Sequence, residues 1–296
     1  NMATGASTAD LALILINAAT GLTSQTQRHS RIVAMLGVRN FVVAVNKMDL
    51  ADWSLSRFKA VEAEFRTFAD DLDLEQIVFI PMSARSGDNI VARSQNMNWY
   101  RGPTLIEHLE RVEIATRADN QPFRLPIQLV NRPNPDFRGF SGSVASGEVT
   151  TGMPVQVWPS GQASRIARII GPRGETASAT AGQSLIVTLE DDIDVSRGDV
   201  ITAAGHRPIV ADRLYARVFW MGTAALVPGR SYLLRLGTSS AKATAEPAPQ
   251  ILDLDSRTST VADEIRTNEI GQCALRLDRL IAVARYAENK DLGSFI

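Results

Sequence analysis

Asn46-Lys47-Met48-Asp49 is the segment whose residue types and spacing best suit chemistry. A carboxylate at Asp49 can accept two hydrogen bonds side by side, and guanine offers that pair from its ring N–H and its exocyclic amine. Adenine does not, so it would leave a buried acceptor unpaired, which is costly in a polar site. The Asn46 amide both donates and accepts, so it can tie neighbouring loops together or meet another base edge. The apolar stem of Lys47 can lie along the flat face of a base. The competing reading is a chance match in a strand-to-helix loop.

Other reactive residue types are scattered. His29, His108 and His206 stand apart, with no carboxylate or cysteine at metal-ligand spacing. His29 falls on an apolar helical face, where packing is expected. Asp191, Asp192 and Asp194 lack the remaining spacing of a calcium loop. Ser141-Gly142 lacks the flanks of a nucleophile elbow. Cys273 is the one cysteine, so no intramolecular disulfide can form, and an alternating run with Leu275 and Leu277 makes it a core residue. Arg132, Asp136 and Arg138 read as a salt-bridged turn, with a contact to a partner or a switch region as the alternative, and Trp99-Tyr100 as a cover for the last helix of the first region, with a partner anchor as the alternative.

The elements around Asn46 are strands and helices in alternation, hence α/β. Leu11 to Ile16 is apolar at every position, as expected of a strand buried on both faces with a neighbour on each edge. A helical stretch with His29, Ile32, Val33 and Leu36 on one face stops at Gly37. Phe41 to Val45 is a second buried strand, and Asn46 follows it directly. Ligands of parallel sheets bind beyond such strand ends. Ser54 caps a helix striped by Phe58, Val61, Phe65, Phe68 and Leu72. Ile77 to Ile80 is a third strand. Thr104 and Glu107 form a capping box ahead of a helix lined by Leu105, Leu109 and Val112.

The texture changes near Arg117. The segment 118–122 reads as a linker, and short alternating runs separated by glycines follow it, as in small β-barrels. A second break falls at His206-Arg207-Pro208. Tyr215 to Trp220 and Tyr232 to Leu236 read as strands, and a further strand is expected within the Ala/Pro-rich piece from Ala241 to Pro249. The expected domains are therefore 1–118, 119–207 and 208–296. The 296 residues carry 31 basic and 32 acidic side chains, so net charge supplies no pull toward nucleic acid or a membrane surface. No apolar run approaches a membrane span.

Asn-Lys-x-Asp, then Met82-Ser83-Ala84-Arg85 after the next strand, then two β-barrels: this order resembles the translation-factor GTPases typified by elongation factor Tu. Within that group the chain resembles, over its whole length, the family of large GTP-binding subunits of bacterial ATP sulfurylase (sulfate adenylyltransferase). The stretch from Asn96 to Leu105 is shared in style with archaeal and eukaryotic elongation factors. More specific to the sulfurylase family are the runs from Val130 to Gly139, from Thr188 to Asp194 and from Tyr286 to Asp291.

The resemblance implies an α/β P-loop-type GTPase domain followed by two β-barrels. It implies backbone N–H groups at Ser83, Ala84 and Arg85 facing the guanine carbonyl, beside Asn46, Lys47 and Asp49. It implies GTP or GDP with Mg²⁺ as cofactors, a cytoplasmic location and a small catalytic subunit as partner. That subunit joins ATP and sulfate into adenosine 5′-phosphosulfate, and GTP hydrolysis on the large subunit drives this uphill step. The chain contains no Gly-x-x-x-x-Gly-Lys-Ser/Thr loop, and its α/β region contains no Asp-x-x-Gly segment of the kind that senses the γ-phosphate. In the family both lie upstream of the stretch that Asn1 to Ala6 resembles, so the GTPase domain is expected to be incomplete here. No catalytic residue and no metal ligand is then expected in the visible chain. Ile296 also reads as a cut end, and some family members continue into an adenylylsulfate kinase domain. Two rivals remain: a translation factor delivering aminoacyl-tRNA, and a non-catalytic scaffold.

Overall fold

The structure is a computed structural model that describes residues 2–7, 9–112, 121–135, 137–254, 256 and 258–296. It divides into two compact units, Asn1–Ala115 with Leu254–Ser256, and Thr116–Asp253 with Arg257–Ile296.

The first unit runs α1 (Met2–Ser7), β1 (Leu11–Asn17), α2 (Ser24–Met35), β2 (Asn40–Asn46), α3 (Leu55–Ala69), β3 (Gln76–Pro81) and α4 (Leu105–Arg111). The strands form a parallel sheet in the order β1-β2-β3. Central β2 is buried from Phe41 to Val45, and its alternation feeds two cores. Phe41, Val43 and Val45 join the cluster with Phe58, Val61 and Phe65 of α3, while Val42 and Ala44 pack with Ile80, Met82 and Leu105. Each fully buried large side chain contributes about 1.5–3 kcal/mol of transfer free energy.

Local signals set the helix ends. The Thr23 hydroxyl accepts from the Thr26 N–H and starts α2. Gly37 ends it with a φ of 76°, and its N–H bonds the Ala34 carbonyl. The Ser54 side chain accepts from the Arg57 N–H at the start of α3, and Thr104 with Glu107 forms both bonds of a capping box on α4.

Three expectations need correction. β1 is buried on one face only: Ile14 and Ile16 point inward, while Leu13 and Leu15 are 39% and 56% exposed. It is an outer strand of the three-stranded sheet among the described residues, and Leu13 and Leu15 belong to none of the described core clusters. His29 is exposed and does not pack; Ser30, Ile32, Val33 and Ala34 are the buried residues of α2. On α4 only Leu105 is buried, and Leu109 faces solvent, because a seven-residue helix turns little of its surface inward.

The second unit is built of strands: β4 (Arg124–Pro126), β5 (Leu129–Asn131), β6 (Gly139–Ser143), β7 (Glu148–Thr150), β8 (Pro154–Trp158), β9 (Gln162–Gly171), β10 (Gly174–Thr176), β11 (Ser178–Thr180), β12 (Ser184–Leu189) and β13 (Val200–Ala203) come first. Their main sheet has the order β4-β13-β8-β9-β12-β6-β5, with β10 paired to β9, and β7 pairs with β11. It encloses Phe123, Leu125, Phe140, Val157, Ile166 and Ile169. Gly147 has a φ of 69°, and a Cβ there would sit 2.4 Å from the Gln121 carbonyl oxygen, so only glycine fits.

Next come β14 (Ile209–Phe219), β15 (Ser231–Leu236), β16 (Ser239–Ala245), β17 (Gln250–Leu252), β18 (Ser259–Val261) and β19 (Ile270–Val283), closed by α5 (Lys290–Gly293). The order is β15-β16-β19-β17-β18, with β14 on β19. β16 is the strand expected in the Ala/Pro-rich piece. Cys273, Leu275 and Leu277 point into this second barrel core, and burial pushes the Cys273 thiol pKa up. A shared cluster of Trp158, Val200, Ala282, Ala284 and Leu292 joins the two sheet systems within this unit. Of the expected linker, residues 118–120 lie outside the described residues.

The charged turn differs from expectation. Arg138 pairs with Asp192 at 2.7 Å and Asp194 at 3.4 Å, so the acidic run dismissed as a calcium loop supplies its partners. Asp136 lies outside the described residues.

Candidate functional site

β2 ends at Asn46, level in register with Asn17 of β1, and the Val45 level of β2 matches Pro81 of β3. Two loops leave this edge side by side. The Met82 N–H bonds the Val45 carbonyl at 2.8 Å, and the Met48 N–H bonds the Met82 carbonyl at 3.2 Å. Buried Met48 anchors the first loop below, and Lys47, at a φ of 62°, turns the chain so that its own side chain is exposed.

The side chains complete the joint. Asn46 Oδ1 accepts from its neighbour's N–H at Lys47 (2.7 Å) and from the Ala84 N–H (2.9 Å) across the two loops. This is the loop-tying use of the amide. Asp49 sits half-buried in a 3₁₀ turn, Met48–Ala51, and its Oδ1 accepts from the hydroxyl of fully buried Ser83 at 2.7 Å. One carboxylate oxygen is thus held in place, and Oδ2 has no protein partner among the described residues. Ala84 and Arg85 are exposed beside it. The Ala84 N–H is taken by Asn46, while the Arg85 N–H has no protein acceptor among the described residues. All six expected residues meet at the ends of adjacent strands, five of them through direct bonds.

Sequence reasoning missed the residues that hold these loops. Asp88 is buried and accepts from Ser86 Oγ (2.6 Å), Ser94 Oγ and Trp53 Nε1 (3.3 Å). Burial alone would raise its pKa, but the hydrogen bonds from Ser86, Ser94, Trp53 and Asn96 prevail and hold it below the usual value. Asn89, with a φ of 56°, donates to the Pro81 carbonyl and accepts from the Ser94 N–H, each at 2.8 Å. The turn-forming run Gly87-Asp88-Asn89 was the available signal. On the other side, Arg57 of α3 donates to the carbonyls of Ala18 and Ala19, and Glu64 accepts from the Leu22 N–H, fixing the loop after β1.

Trp99 and Tyr100 do more than cover α4. Trp99 packs on Phe58 of α3 with ring centroids 5.4 Å apart, and the Tyr100 hydroxyl donates to the carbonyls of Phe79 and Pro103. Burial pushes the Tyr100 pKa up to about 12. Among the described residues no group of His, Cys, Asp and Glu could hold a metal ion. Among the described residues no helix is long and apolar enough to cross a membrane.

Comparison with known proteins places the chain among GTPase-domain families. Residues 1–121 match the elongation factor Tu GTP binding domain, and residues 213–296 match the GTP-eEF1A C-terminal domain-like family. Sulfate adenylyltransferase subunit 1 of Aeromonas hydrophila is 45% identical over all of this chain, which covers 62% of that protein. The bifunctional enzyme CysN/CysC of Xylella fastidiosa is 46% identical over all of this chain and 48% of its own length. The bifunctional enzyme NodQ of Rhizobium tropici is 45% identical, with 47% of its length covered. The chain thus spans less than two thirds of the length of these relatives. Among solved structures, Sup35 complexed with GDP is 23% identical with a TM-score of 0.58, over 99% of this chain and 76% of that one. Sup35 complexed with GMPPNP has a TM-score of 0.56, over 98% and 75%. At that identity the likeness is one of fold.

Proposed function

This chain belongs to the elongation factor Tu-like GTPase superfamily, and from that premise we propose that it is part of the GTP-hydrolysing large subunit of a heteromeric sulfate adenylyltransferase. A separate small subunit forms adenosine 5′-phosphosulfate from ATP and sulfate in the cytoplasm, and GTP hydrolysis on this subunit drives that step. Identity of 45% over every residue of the chain to a protein named sulfate adenylyltransferase subunit 1 supports the assignment. The chain divides in this reading into a GTPase-domain part, 1–118, and two barrels, 119–207 and 208–296.

The observation that carries the nucleotide reading is the fixed carboxylate of Asp49. With Oδ1 held by Ser83, the carboxylate is oriented at the strand end, where Oδ2 and the remaining lone pair of Oδ1 take the guanine amine and ring N–H side by side. Asn46 keeps the Ala84–Arg85 backbone beside it, where an N–H meets the guanine carbonyl, and the Lys47 stem covers the base face. These residues bind and discriminate; none of them moves a proton or breaks a bond. The Mg²⁺ expected with the phosphates finds no ligand group among the described residues, so no step here runs through it.

The test is GTP hydrolysis by the full-length protein with its candidate small subunit, with and without ATP plus sulfate. Turnover that rises only when the subunit and both substrates are present, with adenosine 5′-phosphosulfate accumulating, upholds the reading. Turnover indifferent to all three leaves a guanine site without the sulfurylase role, and ribosomes and aminoacyl-tRNA become the partners to try.

A further inference from the structure

Two consecutive non-glycine residues just past the Asp49 turn, Asp52 and Trp53, have φ of 49° and 48°. Left-handed backbone is unfavourable for residues with a Cβ, and a bulky indole there is an outlier. Strain of this kind persists where surrounding bonds over-determine it, often beside a functional site. Three bonds do so here. The Trp53 N–H donates to the Met48 carbonyl at 2.9 Å. The indole Nε1 of Trp99 donates to the Trp53 carbonyl at 2.9 Å. The indole Nε1 of Trp53 donates to Asp88 Oδ2 at 3.3 Å.

The last bond crosses between the two base-reading loops. Asp88 belongs to the loop that begins with Ser83, Ala84 and Arg85, and it forms a β-bridge with Ser83. Ser83 in turn holds Asp49. Trp53 lies four residues beyond Asp49 and ends that loop ahead of the Ser54 cap of α3. Both loops are therefore braced at their far ends by one indole–carboxylate bond, and at their near ends by Asn46–Ala84 and Asp49–Ser83.

We propose that Trp53 is a positioning residue for base recognition: its indole N–H, given to Asp88, sets the spacing between the loop that carries Asp49 and the loop that carries Ser83 to Arg85. The inference rests on the guanine reading above. Trp53 touches no base in it. Recognition needs both loops held within about half an ångström of the productive geometry, which is what a second shell of bonds provides. If Trp53 only filled core volume, losing its N–H would lower stability and leave base preference intact.

The experiment compares GDP, IDP and ADP binding to the full-length protein, as wild type, Trp53→Phe and Asp88→Asn, with a melting curve for each and binding read below every melting point. IDP lacks the exocyclic amine, so the ratio of IDP to GDP dissociation constants reports the Asp49 contact. In Trp53→Phe the ratio is expected to fall roughly tenfold, the scale of one hydrogen bond, and Asp88→Asn is expected to lower it too. A ratio unchanged in both variants, while the wild type prefers GDP, overturns the role of Trp53 and leaves the guanine site standing. A wild type that prefers GDP to neither IDP nor ADP overturns the guanine reading itself.

Discussion

At the scale of the residue, the site is two oxygens of one carboxylate given different tasks. Ser83 holds Asp49 Oδ1, so the direction of Oδ2 is set by the protein. Replacing that acceptor by an amide in Asp49→Asn puts a donor where guanine also donates. GDP affinity of the full-length protein is expected to fall about a hundredfold or more. Xanthosine diphosphate, which has a carbonyl in place of the amine, is expected to bind the variant better than the wild type. Calorimetric titration with both nucleotides checks this. Asp88 gives a second prediction. Its folded pKa lies below the ordinary value of 3.8, because Ser86, Ser94, Trp53 and Asn96 outweigh burial. The unfolded chain therefore binds the proton more readily. The stability this group contributes is present above 3.8 and is lost as pH falls through the lower folded value. Melting temperatures of wild type and Asp88→Asn should accordingly differ at neutral pH and converge as pH drops below that window.

At the scale of the element, the helix ends are where sequence and structure agree most closely. Thr104 and Glu107 satisfy two otherwise unpaired donors on α4, a helix of only seven residues. So short a helix has little cooperative stability of its own and depends on its cap and on Leu105. Thr104→Ala is expected to cost about 1 kcal/mol, and Thr104→Ser to restore most of it, as read from denaturant midpoints at constant slope. The same short length explains why Leu109 is exposed although its spacing from Leu105 suits a common face. α3 is the opposite case. Its fifteen residues bury Phe58, Val61, Phe65 and Phe68 as the pattern implied, and its outer turns hold the loop after β1 through Arg57 and Glu64.

At the scale of the whole molecule, the second unit holds two barrel cores joined by a small mixed cluster. Trp158 sits in it, packed with Val200, Ala282, Ala284 and Leu292, and its indole N–H donates to Thr202 at 3.0 Å. The side-chain amide of Asn289 donates to the Ala145 carbonyl at 3.1 Å, and that of Gln121 to the Glu288 carbonyl at 2.7 Å, so bonds from side chains to the backbone flank the apolar joint. Truncating Trp158 to Ala removes a buried aromatic and its bond, a loss of about 3–5 kcal/mol. Scanning calorimetry of the full-length variant is expected to resolve the barrels as separate transitions, where the wild type unfolds them together. A single transition shifted to lower temperature would mean that the flanking bonds suffice to couple them.

The features legible in the amino-acid order are those that act within a few residues. These are the continuous apolar run of β2, the caps at Ser54 and Thr104, the stop at Gly37, and the alternation that puts Cys273, Leu275 and Leu277 on one side of β19. The sequence also singled out Asn46 to Asp49, and by family resemblance Ser83 to Arg85, as the expected base readers, because each run follows a recognisable strand. Only the tertiary structure decided which distant groups meet. Trp53 and Asp88 are 35 residues apart, and Arg138 finds Asp192 54 residues away. Periodicity carries no record of such pairings. Burial was decided there too. An apolar run states what a strand can bury, but a side chain such as Leu13 or Leu15 is covered only where another layer lies against it.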